Sequence, residues 1–153
     1  MITVFASREI SLISMISDIQ FQMNLLSQKR MNLASVGMIL ADGQVSPDEI
    51  QQSNYYVQNG LAGAINLGNA LTQQSAMMGQ PMQMVYRNQM NPNIISFHSY
   101  AKEQADAQLA AQEKVIDMQM KQLETKLSMY ERELDSVGKG KEKAIETATP
   151  KYA

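Results

Sequence analysis

The sequence predicts an all-α fold: an elongated helical hairpin or three-helix bundle whose N- and C-terminal helices pair as a coiled coil. Two long segments near the ends of the chain carry apolar residues at alternating steps of three and four, the period of a helix surface. Between them, a helix-stop signal at Asp42 and Gly43 is followed by a helix-start signal at Ser46 and Pro47. A chain of 153 residues falls in the usual single-domain range. One helical domain is expected over 1–138, with helices at 5–41, 47–78 and 97–137, a loop at 79–96 and a flexible polar tail at 139–153.

The first helix is read from Phe5, Leu12, Ile16, Ile19, Met23, Leu26, Leu33 and Leu40, a stripe that passes through Glu9, Arg30 and Gly37. Ile10, Ile13, Met15, Leu25, Met31, Val36 and Ile39 widen the apolar surface beyond a narrow seam, so this helix is expected to meet neighbours on more than one side. The stretch "MILADGQVSPDEIQQ" then resembles the second half of a calcium-binding EF-hand loop. If Gly43 is placed at the invariant glycine, Asp42, Ser46 and Glu49 fall on ligand positions, but the first and third ligand positions fall on Met38 and Leu40. Neither can hold a hard cation. The same residues make an ordinary turn between helices: Gly43 ends the first, and Ser46, Pro47 and Glu49 form the N-cap, first position and capping box of the next.

The second helix, 47–78, carries Gly60, Ala64 and Gly68 four apart on one face. A helix interior spends about 1 kcal/mol on each glycine relative to alanine, and the spacing predicts close packing of another helix there. A break within this segment is the alternative. "GAINLGNA" has the two-glycine spacing of a phosphate-binding loop, yet Asn69 and Ala70 stand where Lys and Ser/Thr are required. Residues 79–96, with Pro81, Pro92 and several Asn and Gln, read as an exposed loop that is unusually apolar through Met82, Met84, Val85, Tyr86 and Met90. His98, the single histidine, reads as a helix-start or surface residue. The last helix has the clearest seam: Leu109, Ile116, Met120, Leu123, Leu127, Tyr130, Leu134 and Val137, interrupted only by Glu113.

Composition narrows the function. With 13 basic and 15 acidic residues, no strong field draws the chain to nucleic acid. No apolar run approaches the roughly 20 residues of a membrane span, so membrane insertion is not expected. The absence of cysteine removes disulfides and thiolate metal sites. No paired His, Cys or carboxylate constellation points to catalysis, and neither an enzyme, a metal nor a cofactor is expected. The 13 methionines and the lack of tryptophan imply a soft, adaptable core. The N-terminus lacks the charged region and cleavage site of a secretory signal peptide.

The segments "SLISMISDIQFQMNLLSQKRMNLASV" and "LAAQEKVIDMQMKQLETKLSMYERELDSV" resemble, in architecture, the secreted filament subunits of type III secretion systems and flagella. The resemblance implies paired terminal helices, a variable middle, export without a cleaved signal and head-to-tail assembly through both ends. The expected function is therefore a self-assembling subunit of a helical filament or tube, at the cell surface or outside it, with copies of itself as partner. The expected assembly seam comprises Leu12, Ile16, Ile19, Met23, Leu26 and Leu33 with the last-helix residues from Leu109 to Val137. The alternative is a helical adaptor, secretion chaperone or virion component, with a cytoplasmic location, that turns the same seam on a different protein.

Overall fold

The computed structural model describes residues 1–148 and is mostly helical. Helices α1 (Ile2–Leu40), α2 (Pro47–Gln52), α3 (Tyr55–Met77) and α4 (Ser99–Ala148) are joined by three short strands, β1 (Gln44–Val45), β2 (Val85–Arg87) and β3 (Ile95–Phe97). The all-α class describes the bulk of the chain; the small sheet is a departure from it. The strands form one antiparallel sheet in the order β1-β3-β2, with Val45 opposite Ile95 and Tyr86 opposite Ser96.

The turn after α1 is built as its residues require. Gly43 adopts a φ of 75°, a left-handed conformation that closes the helix, and the Gly43 N–H donates to the Leu40 carbonyl at 3.0 Å. Asp42 Oδ1 accepts from the Gln44 N–H at 2.9 Å. Ser46 caps α2 by accepting from the Glu49 N–H at 3.3 Å, and Glu49 Oε1 accepts from the Ser46 N–H at 3.0 Å, closing the capping box. The oxygens that match EF-hand positions are thus engaged in stopping one helix and starting the next.

Three boundaries differ from expectation. The segment 47–78 is two helices, parted at Ser53 and Asn54 and not at a glycine. Asn54 caps α3 by accepting from the Val57 N–H at 2.9 Å and also donates to Asn32 Oδ1 of α1 at 3.1 Å. Gln58 Nε2 spans the break, donating to the Ile50 and Ser53 carbonyls. The expected loop 79–96 contains β2 and the start of β3, and α3 fastens its first part: Met82 N–H donates to Ser75 Oγ at 3.1 Å and Met84 N–H to Thr72 Oγ1 at 3.0 Å. Asn88 and Asn91 close the hairpin tip by accepting from nearby backbone N–H groups. Finally, α4 continues through Gly138 and Gly140 as far as Ala148, so the tail expected from 139 is helical over its first ten residues. The remainder, 149–153, lies outside the described residues.

The chain divides into two compact units, and both α1 and α4 contribute to each. In the unit Gln28–Ile116, Val36, Leu40, Val45, Val57, Leu61, Met84 and Phe97 form a buried core together with Ala64, Ala101 and Ala105. Of the apolar residues in 79–96, Met84 belongs to this core and Val85 packs against it, while Met82, Tyr86 and Met90 stay exposed. In the other unit, Met1–Ser27 lies with Asp117 and the residues after it. Arg8 pairs with Glu133 at 2.7 Å and Glu9 with Lys141 at 3.3 Å. Phe5 lies over Gly140, where an added Cβ would stand 3.0 Å from the ring. Leu26 shares a groove with Leu123. Low numbers in α1 therefore meet high numbers in α4, and contacts run in opposite order along the two segments.

The glycine face of α3 gives a first testable result. A Cβ at Gly60 would lie 2.6 Å from Val36 Cγ2 of α1, and one at Gly68 would overlap Val85 Cγ2 of β2, whereas at Gly63 nothing stands within 4 Å. The close neighbour at Gly68 is thus a strand, where the spacing predicts a helix. Gly63→Ala is expected to raise stability by about 0.5–1 kcal/mol through helix propensity alone. Gly68→Ala should lower it, because overpacking against a stiff β-branched side chain, about 1–3 kcal/mol, outweighs the same propensity gain. Thermal melts of the two variants test this; equal shifts in the same direction would show that β2 does not rest on Gly68.

Candidate functional site

The structure turns the expected assembly seam inward. Leu12 and Ile116 are 0% and 1% exposed, and Ile19 is also buried. Ile16, Met23, Leu26, Leu33, Leu109, Met120, Leu123, Leu127, Tyr130, Leu134 and Val137 are all half-buried. Of the stripe interruptions, Glu9 reaches Lys141, and Gly37 faces Leu109, whose Cδ1 would stand at ordinary van der Waals distance, 3.9 Å, from an added Cβ. Of the expected close-packing residues, Ala64 and Gly68 are buried and Gly60 is half-buried.

With the seam covered, a different set of large apolar side chains is left in water. On α1 within the Met1–Ser27 unit, Ile2 and Val4 are exposed in the first turn, and further along are Ile10 (69% exposed), Ile13 (51%), Phe21 (64%) and Leu25 (49%). At 3.6 residues per turn the last four occupy the side of α1 away from Leu12, Ile16, Ile19 and Met23. The residues between them on that side, Ser14, Ser17 and Asn24, are exposed, short and uncharged. From 10 to 25 the only ionisable residue is Asp18, which sits at the flank of this face. The α4 segment of the same unit is different: its exposed positions are rich in Glu, Lys, Arg and Asp, among them Lys121, Glu124, Lys126, Glu131, Arg132, Asp135 and Lys139. The α4 segment thus presents mostly solvated charge outward, with Met118, Met129 and Ile145 exposed among it, and α1 presents an uncharged apolar face. Sequence reading registers Ile10, Ile13 and Leu25 only as a broadening of the seam and misses Phe21. The usable signal is a second alternation of fours and threes, through Ile10, Ser14, Ser17, Phe21 and Asn24, with no charge in it.

In the Gln28–Ile116 unit, an open groove of about 700 Å³ lies between α3 and the β2–β3 hairpin, lined by Ile65, Asn69, Gln83, Val85, Tyr86, Arg87, Gln89 and Ile95. Its lining offers one cation and three amides but no carboxylate, imidazole or thiol, so it carries no acid–base pair. His98 stands at the start of α4: its Nδ1 accepts from the Tyr100 N–H at 3.3 Å and its carbonyl from the Lys102 N–H at 2.9 Å. The residue works as a helix cap. The phosphate-loop spacing at 63–70 lies inside α3, and Gly68 is occupied by Val85. Among the described residues, no helix is long and apolar enough to cross a membrane.

Comparison with protein-family models, with curated proteins and with solved structures gives no match. The functional reading therefore rests on the surface chemistry of the chain itself.

Proposed function

We propose that this protein is a structural subunit that self-assembles into a filament or tube, with its long terminal helices paired as an antiparallel coiled coil and placed at the assembly contacts. Export by a route without a cleaved signal peptide belongs to the same reading, through the resemblance to secreted filament subunits. The observation that carries it is the outer face of α1. Ile10, Ile13, Phe21 and Leu25 are exposed after the seam has been satisfied within the chain, and solvent alone does not favour grouping such residues on one uncharged side of a helix. The internal seam makes a stable rod segment, and the outer face of α1 is what that segment offers to other copies. The charged exposed side of α4 keeps the assembled surface solvated.

A second reading, a helical adaptor, is favoured by the open groove between α3 and the hairpin, whose Arg87 and amides suit a polar partner. Negative-stain microscopy of the purified protein over a concentration series separates the two. Regular fibres or tubes that lengthen as concentration rises are expected. Small particles of one size at the highest concentration would reject the filament reading in favour of the adaptor.

A further inference from the structure

We infer that the groove between α3 and the β2–β3 hairpin receives an extended peptide segment of a partner protein, which adds a strand to the free edge of β2 and sets an acidic side chain beside Arg87. The inference is independent of the reading of self-assembly, because the groove lies in the Gln28–Ile116 unit and the apolar face of α1 at 10–25 lies in the other.

The main chain of β2 determines what kind of occupant fits. β2 is an outer strand in the order β1-β3-β2. The His98 N–H donates to the Met84 carbonyl at 2.8 Å, and the Asn88 N–H to the Ile94 carbonyl at 2.9 Å. Tyr86 stands opposite Ser96 between them, so Met84, Tyr86 and Asn88 turn their polar groups toward β3. Alternation in an antiparallel ladder then points the N–H and C=O of Val85 and Arg87 away from β3. The nitrogen of Val85 is closed off by α3, 4.0 Å from the place of a Cβ on Gly68. The Val85 carbonyl and the Arg87 N–H and carbonyl are left, and among the described residues no hydrogen bond takes them up. Such a row of donor and acceptors along a strand edge is matched by another extended backbone.

The side chains determine what that backbone carries. Arg87 lies directly opposite Ile95, so the two project from one face of the sheet, and both line the groove with Ile65 of α3. Arg87 is the one charge in the lining, it is exposed, and among the described residues no carboxylate pairs with it. A strand laid along β2 places one side chain beside Arg87, where the opposite charge is favoured. Ile65 and Ile95 give the same face an apolar floor, which suits an apolar residue two positions from the acid. The β2 of a second copy fits worse, because it brings another Arg87 into a groove whose charge is already positive. A short charged edge strand can also serve to prevent pairing. This one, however, stands beside about 700 Å³ of open space, within the roughly 300–1,000 Å³ of ligand clefts.

The test screens the full chain against a synthetic library of short end-capped peptides. Peptides that bind are expected to carry one Asp or Glu in an otherwise uncharged, β-branched sequence. Exchanging that acid for its amide should weaken binding about 10-fold, and Arg87→Glu in the protein should turn the selection toward Lys and Arg, with circular dichroism as the control on folding. N-methylation of the peptide main chain, one amide at a time, should abolish binding at alternate residues and spare those between, since one edge of the added strand faces β2. This series uses the unaltered protein and decides the question even if the variant misfolds. No peptide binding tighter than about 1 mM, N-methylation effects that do not alternate, or a preference for acid that survives Arg87→Glu would each overturn the inference. Fibres that disperse on Arg87→Glu would make a second copy the occupant and overturn it as well. Peptide binding of the expected kind by a chain that forms no fibres would uphold the inference and reject the filament.

Discussion

Replacing Leu12 by aspartate is expected to unfold the unit formed by Met1–Ser27 and the residues from Asp117 onward. Leu12 is the fully buried large side chain in the α1 part of that unit, with Ile19 next at 6% exposed, so the core there is thin and each member carries much of it. Truncation to alanine removes about 2–5 kcal/mol through lost transfer energy and the cavity left behind. Aspartate adds the cost of holding a carboxylate out of water, several kcal/mol more. Such a total is comparable to the whole stability of a small domain, about 5–15 kcal/mol. The series Leu12→Ala, Leu12→Asn, Leu12→Asp should therefore show stepwise loss of helical circular dichroism and of melting temperature. Hydrogen exchange should quicken first in residues 2–27 and 117–148. An aspartate variant that melts with the wild type would mean that Leu12 is solvated and that the two terminal segments do not enclose it.

The mostly helical character was legible in the sequence, for identifiable reasons. Long helices repeat their signal, so the seam positions on α1 and α4 recur often enough to be read, and the residues singled out are the inward-facing ones. The Ser46–Glu49 capping box was equally plain, because its chemistry is local. The sheet was not, because β1 has two residues and β2 and β3 three each, shorter than the four to eight over which alternation can be recognised. Its strands are fixed by tertiary contacts: Val85 on Gly68 of α3, and the backbone of Met82 and Met84 on Ser75 and Thr72. Gly68 itself was legible as a place of close approach, but what approaches it was not, since a missing Cβ records only that something is near. Gly138 and Gly140 were misleading for the opposite reason. They look like the end of a helix, yet nothing stands within 4 Å of a Cβ at Gly138, and Gly140 makes space for Phe5, 135 positions earlier in the chain. The outer face of α1 was half legible: its apolar members are visible, but only the burial of Leu12, Ile19 and their neighbours shows which side remains free.

The central claim is that copies associate through this outer face, and the double substitution Ile10→Glu with Phe21→Glu tests it most directly. Ile10 and Phe21 are 69% and 64% exposed in the single chain, so their replacement should change stability by no more than about 0.5 kcal/mol each. At a contact between copies the same changes remove apolar burial worth about 1.5–3 kcal/mol per large side chain and crowd carboxylates together at a cost of several kcal/mol. Association carries a general cost of about 4–15 kcal/mol, which leaves a contact made of four such side chains per copy little to spare. The concentration needed for assembly should rise at least about 100-fold, the equivalent of about 2.8 kcal/mol. Sedimentation velocity of wild type and variant over the same concentration range reads this, with circular dichroism as the control on folding. The expected result is a variant as helical as the wild type that sediments as a single chain where the wild type forms dimers and larger species; equal association of the two proteins would contradict the claim.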